Sequence, residues 1–551
     1  MARRRTDAAP QAPTTMKELK DTLWKAADKL RGSLEASDYK DVILGLVFLK
    51  YVSDSFEERR AQIRAELEAD GGYVEGDIDE SLEDKDEYSG AGVFWVPVNA
   101  RWQFLAERAK GTETKTIGEL INEAMGWLME ANPPLNGTLP RIYNREGVDQ
   151  RRLGELLDLF NSARFTGEGA SKARDLLGEV YEYFLGKFAA AEGKRGGEFY
   201  TPPSVVRVLV EVMEPSAGRI YDPCCGSGGM FVQAEKFLEA HHRNPAELSV
   251  YGQENMERTW RMAKMNLAIH GLIGNLGPSW GDTFARDLHP DLQADYVLAN
   301  PPFNIKDWAR NEDDARWRYG VPPAGNANYA WLQHIVSKLG PKGQAGVVLA
   351  NGSMNTNSGG EGQIRANLVE ADLVSVMVAL PTQLFRSTGI PVCLWFFAKD
   401  KKWTADRRGQ VLFVNAQNLG YMVDRAERAL SEEDIAKIAD TYRAWRGEPQ
   451  LPEPVEVPSQ LAELVEASVD PSTSSGVYAD IPGFCYSATL AEIKDAEYAL
   501  TPGRYVGTAE IADDGEPIDD KVKRLTEELL AALDESARLD AVVREQLGRL
   551  A

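Results

Sequence analysis

Asn300-Pro301-Pro302-Phe303 combines residue types that suit one kind of ligand. Consecutive prolines lack N–H groups and hold a stiff, extended backbone, so their carbonyls become fixed acceptors. The Asn300 side-chain oxygen is a further acceptor, and Phe303 adds a flat apolar plate. Acceptors beside an aromatic surface fit a planar group carrying an –NH2. The tetrapeptide also fits a strand end closed by a Pro-Pro turn, so its neighbours must decide. Ala294-Asp295-Tyr296-Val297-Leu298-Ala299 precedes it, a short apolar run that reads as a buried parallel strand. The tetrapeptide thus falls at a strand end, where open α/β folds hold ligands.

Further candidates lie upstream. Asp222-Pro223-Cys224-Cys225-Gly226-Ser227-Gly228-Gly229 sits between a predicted strand, Arg219–Tyr221, and a predicted helix, Met230–Ala240. Glycines there let the backbone approach a ligand, and the helix N-terminus offers N–H groups. Phe231 stands where a dinucleotide fingerprint needs glycine, and no phosphate-loop motif occurs. Asp222 puts a carboxylate in the turn, hostile to phosphate and suited to an ammonium. Glu254 follows a predicted strand, Ser249–Gly252, where an acid takes both ribose hydroxyls. Asp282 ends a further short segment and could accept from an adenine amino group. Ammonium, diol and adenine sites at successive strand ends describe S-adenosylmethionine. Gly196-Gly197-Glu198-Phe199-Tyr200-Thr201-Pro202-Pro203 precedes a predicted helix carrying Val205, Val206, Leu209 and Val210. Thr201 is expected to cap that helix and donate to a carboxylate, with Phe199 and Tyr200 lining the methionine end. Tyr329 and Trp331 are further candidates for the pocket wall, although core packing explains such aromatics equally well.

The elements that must position these residues alternate. After the strands above come predicted strands at Gly346–Ala350, Val374–Leu380, Pro391–Ala398 and Gln410–Asn415, with helical stretches such as Met256–His270 between strands. The expected fold is α/β, a doubly wound, mostly parallel sheet over residues 166–447. Residues 15–165 read as a helical domain: Met16, Leu19, Leu23 and Leu30 keep helical spacing, and Ser37 reads as the N-cap of a helix through Val42, Ile43, Leu46, Val47 and Phe56. The acidic stretch Glu66–Gly90 reads as a loop, with Phe94-Trp95-Val96-Pro97 returning to the core. Residues 1–14 read as a disordered basic tail. Residues 448–517 read as a Pro- and Glu-rich linker followed by an extended piece, Ala496–Val506. Residues 518–551 read as a helix in which Ile518, Val522, Leu525, Leu529, Ala532, Leu539, Val543 and Leu550 form a 4-3 stripe. Such a stripe meets a partner helix or packs on its own domain.

Composition narrows the function. At 551 residues with a net charge of -23, the chain is a poor binder of nucleic acid by bulk electrostatics. A role on DNA needs a local basic cleft or a partner. The four cysteines include no Cys-x-x-Cys pair, and the five histidines lack ligand spacing, so neither a disulfide framework nor a metal site is expected. No apolar run approaches the roughly 20 residues of a membrane helix, and a cytoplasmic protein is expected.

The order Gly-Glu-Phe-Tyr-Thr-Pro (197–202), Asp-Pro-Cys-Cys-Gly-Ser-Gly-Gly (222–229), Asn-Pro-Pro-Phe (300–303) resembles the γ-ordered amino-methyltransferases. It most resembles the modification subunit of type I restriction–modification systems. Leu46-Val47-Phe48-Leu49-Lys50-Tyr51, Leu380-Pro381-Thr382-Gln383-Leu384-Phe385 and the Tyr498–Tyr505 piece extend the likeness over nearly the whole chain. The resemblance implies methylation of adenine N6 in DNA. Asn300, Pro301, Pro302 and Phe303 would form the catalytic motif, and Glu198, Phe199, Tyr200, Thr201, Pro202 and Pro203 would hold the methionine moiety. Gly226, Ser227 and Gly228 would shape the cofactor turn beside Asp222, with Glu254 on the ribose. It further implies a separate DNA-specificity subunit, two copies of this chain per specificity subunit, and a restriction subunit that joins some complexes. No reading module, nuclease or helicase motif is present in the chain itself. The same Asn-Pro-Pro-aromatic group also serves methylation of a glutamine side chain or an RNA base, and a non-catalytic assembly scaffold is a further alternative.

Overall fold

Apolar residues run almost unbroken through Val374–Ala379 and Val392–Ala398, and both segments are buried throughout, as strands covered on both faces must be. They lie inside a nine-stranded sheet. The structure, a computed structural model, describes residues 36–162, 178–188, 201–385, 390–425, 427–448 and 478–508, with isolated positions at 20–28 and 523–539.

The strands are β1 (Gly218–Asp222), β2 (Leu248–Gly252), β3 (Gly274–Asn275), β4 (Ala294–Ala299), β5 (Leu339–Ala350), β6 (Val374–Ala379), β7 (Val392–Ala398) and β8 (Gln410–Asn415). β9 (Tyr421–Met422) and β10 (Arg428–Ala429) form a separate hairpin, and β11 (Cys485–Thr489) closes the sheet. The order is β11-β8-β6-β7-β5-β4-β1-β2-β3. β1 pairs in parallel with β2 on one side and with β4 on the other. β7 runs antiparallel between β5 and β6, and β11 antiparallel to β8. The fold is therefore the expected mostly parallel α/β sheet. The chain runs outward from β1 to β2 and β3 and then returns to β4 on the other side of β1, and this reversal opens a crevice at the carboxyl ends of β1, β2 and β4. Helices Pro203–Met213 and Gly229–Ala240 pack on one another, with Glu432–Arg446 beside the first, and their valine, leucine and aromatic faces fill the core on that side.

The helical part preceding the sheet has its own core, built on the helix Ala36–Asp70. Residues 178–188 add Val180, Tyr181, Phe184 and Phe188 to it, and Met262, Met265 and Ile269 of the helix Glu257–Ile269 join from the sheet side.

Three local expectations are corrected. Glu66–Gly90 is not a loop: the long helix continues to Asp70, and helices Glu75–Leu82 and Asp86–Ser89 follow. Ile78, Leu82 and Tyr88 are buried, with Tyr88 stacked on Phe56 at 4.6 Å, so three apolar anchors outweigh an acidic composition that pairs with Arg60 and Arg64. Ser37 lies inside the helix and does not cap it. The stretch 448–517 is not all linker: residues 478–508 hold β11, the short helix Leu490–Asp495 and a 3-10 turn at Pro502–Arg504, so Ala496–Val506 is turns and not an extended piece. Tyr505 stacks on Phe413 of β8 at 3.8 Å, and Trp445 Nε1 donates to Ser487 Oγ of β11 at 2.8 Å. Alternation in Cys485–Thr489 was too short to read, and its partner strand is far away in sequence. The tail 1–14, residues 449–477 and most of 518–551 lie outside the described residues; Lys523, Thr526, Leu530, Leu533, Arg538 and Leu539 there are helical.

Candidate active site

The turn after β1 needs backbone conformations that side chains resist. Gly226 and Gly228 have φ of 54° and 80°, and Gly228 is the N-cap of the helix Gly229–Ala240. Cys225 N donates to Gln253 O at 2.9 Å, and Asn266 Nδ2 donates to Ser227 O at 2.9 Å, which pins the turn against the end of β2 and the helix Glu257–Ile269.

Glu254 follows β2 and reaches over this turn. Its Oε2 accepts from Gly226 N at 3.1 Å and its Oε1 from Met256 N at 2.9 Å. Asp282 is exposed at the crevice, with Oδ1 accepting from Phe284 N and Ala285 N at 2.7 and 2.9 Å. Asp222 departs from the expectation. It is 2% exposed, does not line the cavity, and its Oδ1 accepts from Cys224 N at 2.9 Å. It therefore braces the turn from beneath. Burial pushes its carboxyl up to about 7, the Cys224 N–H opposes this, and the Glu254 charge adds to it.

That shift gives a pH dependence. A carboxyl raised from 3.8 in the unfolded chain to about 7 binds its proton more tightly when folded, so this group makes stability fall as pH rises from about 4 through 7. Thermal melts of the ligand-free chain at pH 5 and pH 8 are expected to show that loss, and Asp222→Asn, which keeps the acceptor for Cys224 N, is expected to flatten it. An unaltered pH profile in that variant would refute the assignment.

Asn300 ends β4. Its Nδ2 donates to Thr201 Oγ1 at 2.8 Å, while its Oδ1 is buried and has no hydrogen-bond partner among the described residues. An unmet buried acceptor costs free energy unless a ligand supplies the donor. Pro302 lines the cavity with Asn300, and Pro301 is buried behind them. Phe303 packs on the sheet core, edge-to-face with Phe385 at 6.1 Å. Thr201 does not cap the following helix: Pro202 holds the N-cap position with no side-chain cap, and Pro203 begins the helix. A proline at N1 needs no cap for its missing N–H, which frees the Thr201 hydroxyl to hold Asn300. Glu198, Phe199 and Tyr200 lie outside the described residues.

The cavity is about 270 Å³ and joins Gly226, Ser227, Glu254, Asp282, Asn300 and Pro302. The structure thus gathers the turn, the diol candidate, the adenine candidate and the acceptor motif in one place. Trp331 lines the wall as expected, whereas Tyr329 is core, its hydroxyl donating to Ser353 O at 2.7 Å. Several residues of the wall, and one behind it, escaped the sequence reading. Phe284 and Trp308 pack at 4.9 Å beside Asp282, and Lys40, Leu185 and Phe188 reach the cavity from the helical part. Buried Gln253 staples the Asp282 loop, with Nε2 donating to Gly281 O and Arg286 O at 2.9 and 2.8 Å. Only Gln253 had a signal, its place beside Glu254 at a strand end; the others depend on contacts remote in sequence.

A glycine turn after β1, an acid after β2 and an Asn-Pro-Pro-Phe group after β4, on a doubly wound sheet, define the amino-methyltransferase class. The sequence model described as N-6 DNA Methylase matches residues 172–514, and that of the HsdM N-terminal domain matches residues 19–160. The chain is 44% identical to the type I restriction enzyme HindI methylase subunit of Haemophilus influenzae, over 83% of this chain and 99% of that protein. It is 39% identical to the MjaIX methylase subunit of Methanocaldococcus jannaschii, over 97% and 91% of the two chains. The type I methyltransferase subunit of Streptococcus thermophilus has the same fold, with a TM-score of 0.68 at 23% identity over 90% of this chain and all of that one. The chain belongs to the N-6 DNA methylase family and is an adenine-specific DNA methyltransferase of the type I modification kind.

Proposed function

We propose that this chain moves a methyl group from S-adenosylmethionine to N6 of an adenine flipped out of DNA, and that a separate specificity chain chooses the sequence. The observation that carries the chemistry is Asn300, whose amide nitrogen is tied to Thr201 while its oxygen is buried without a donor among the described residues.

The residues present fit the cofactor. Glu254 would take the ribose hydroxyls, Asp282 the adenine amino group through the oxygen not used by its own loop, and Gly226, Ser227 and Gly228 would let the backbone approach. When bound, S-adenosylmethionine supplies a sulfonium methyl open to in-line attack. An adenine amino group is a weak nucleophile because its lone pair is delocalised into the ring. Asn300 Oδ1 would accept one N6 hydrogen and the Pro301 carbonyl, on the peptide that joins it to cavity-lining Pro302, the other, localising that lone pair. Such preorganised acceptors stabilise the positive charge that develops on nitrogen. Phe303, half-buried against the sheet core and outside the cavity lining, would offer a flipped base its exposed face. The surplus proton leaves after transfer, so no strong base is needed beforehand.

The partner follows from charge. At -23 the chain repels phosphates overall, which favours a reading in which most of the affinity for DNA comes through another chain. Stoichiometry is proposed as two copies of this chain per specificity subunit, with a restriction subunit able to join, and the site of action as the cytoplasm. The test is transfer of labelled methyl to unmethylated DNA, with and without a co-expressed specificity chain. Sequence-specific methylation is expected only with that chain present. Full-rate, sequence-specific methylation by the isolated chain would sink the proposal.

A further inference from the structure

The backbone that carries Asp282 is gripped from outside the cavity by a single guanidinium. Arg316 Nη1 donates to Thr283 O at 2.9 Å and Nη2 donates to Phe284 O at 3.0 Å. These carbonyls belong to the two residues directly after Asp282, so the planar fork of the arginine spans consecutive peptide units. Other interactions fix the fork in turn. Arg316 Nε and Nη2 donate to Asp314 at 2.9 and 2.5 Å, and its carbon face lies 5.3 Å from the Trp317 ring. Nη1 also donates to His334 Nδ1 at 3.0 Å. A guanidinium only donates, so Nδ1 carries the lone pair and Nε2 the proton, which points to Tyr221 OH at 3.2 Å. Burial and the Arg316 charge keep this imidazole neutral, its pKa down at about 3. Tyr221 is the β1 residue next to Asp222, and Thr283 Oγ1 donates to Pro223 O at 2.6 Å on the other side of the same loop.

We propose that Arg316 is a positioning residue for the adenine end of the cofactor, holding the Asp282–Phe284 loop in the shape that presents the Asp282 carboxylate to an adenine amino group. Arg316 does not line the cavity, so its influence passes through this loop. Asp282 Oδ1 is committed to the N–H groups of Phe284 and Ala285, so the direction of the carboxylate follows the backbone that Arg316 grips. Arg316 also belongs to the segment that follows Asn300-Pro301-Pro302-Phe303, and it thereby ties the acceptor motif and the adenine loop into one unit. Lysine, a point charge on a flexible stem, cannot bridge two carbonyls, an imidazole and a carboxylate at once.

The proposal rests on the S-adenosylmethionine reading of the site. Its test is calorimetric titration of the full chain and of Arg316→Lys with S-adenosylhomocysteine and with the analogue carrying a 6-oxo in place of the 6-amino group, alongside melts without ligand. The unsubstituted chain is expected to prefer the 6-amino compound. Arg316→Lys is expected to bind it about tenfold more weakly, the scale of one charged hydrogen bond, and to discriminate less between the two compounds. In the assembled enzyme the KM for the cofactor is expected to rise with kcat retained. A merely structural arginine would lower the melting temperature and leave discrimination alone, and that result would overturn the proposal. Should Arg316→Lys not fold, Asp314→Asn keeps the arginine but loosens it, and a smaller loss of discrimination is expected; unchanged discrimination there would also overturn it. Failure of the unsubstituted chain to bind either compound would remove the cofactor reading itself.

Discussion

Asn300→Ala is expected to lower the rate of methyl transfer by about 10²–10³-fold, the cost of deleting one preorganised hydrogen-bonding group that acts on transition-state charge. Cofactor binding is expected to persist. The amide touches the chain through Thr201, and neither the glycine turn nor Glu254 depends on it. Its oxygen is buried without a partner among the described residues, so in the ligand-free fold the truncation removes an unmet acceptor and gives up the bond to Thr201 Oγ1. The measurement is single-turnover transfer to DNA in the assembled enzyme, paired with a titration of S-adenosylhomocysteine. Transfer at an unreduced rate would undo the acceptor mechanism, and loss of binding as well as transfer would move Asn300 from the target base to the cofactor.

Glu254→Ala should have the second large effect, here on binding. The carboxylate serves the site twice. It accepts from Gly226 N and Met256 N, which sets the turn, and it is the candidate acceptor for two ribose hydroxyls. Two charge-assisted hydrogen bonds to a diol, at about 1.5 kcal/mol or more each, correspond to roughly 100-fold in affinity. Calorimetry with S-adenosylhomocysteine reads this directly. Affinity equal to that of the unsubstituted chain would remove Glu254 from the ribose site. Asn300→Ala and Glu254→Ala thus separate chemistry from binding, and opposite patterns in the two variants would exchange the roles of the two strand ends.

The sheet was legible because its strands are short, apolar and punctuated. Gln410–Asn415 reads the same from pattern and from structure, and β1, β2, β4, β6 and β7 differ by a residue or so at their ends. The site motifs were legible for the same reason, since each lies next to a strand end and carries a residue type that the chemistry requires. Where the reading failed, a long-range contact had outweighed local composition. Glu66–Gly90 is acidic and glycine-containing, yet Tyr88 on Phe56 and buried Ile78 hold it helical. Cys485–Thr489 became an edge strand because β8 offered an open edge, a fact invisible in the segment itself. Thr201 looked like a cap, and only the approach of Asn300, about a hundred residues later in the chain, shows what its hydroxyl holds.

By itself the sequence determined the kind of fold, the order of the motifs and the chemistry of the acceptor group, because backbone stiffness, strand periodicity and donor or acceptor type are local properties of residues. Tertiary structure alone decided how those residues divide the labour. It put Asp222 under the turn instead of in the cavity and left the Asn300 oxygen without a donor among the described residues. It brought Lys40 and Phe188 of the helical part to the cavity wall, and set Arg316 astride the loop that carries Asp282. Burial and hydrogen-bond partnership are properties of pairs of residues distant in the chain, and they are fixed only when the sheet and the helices have packed.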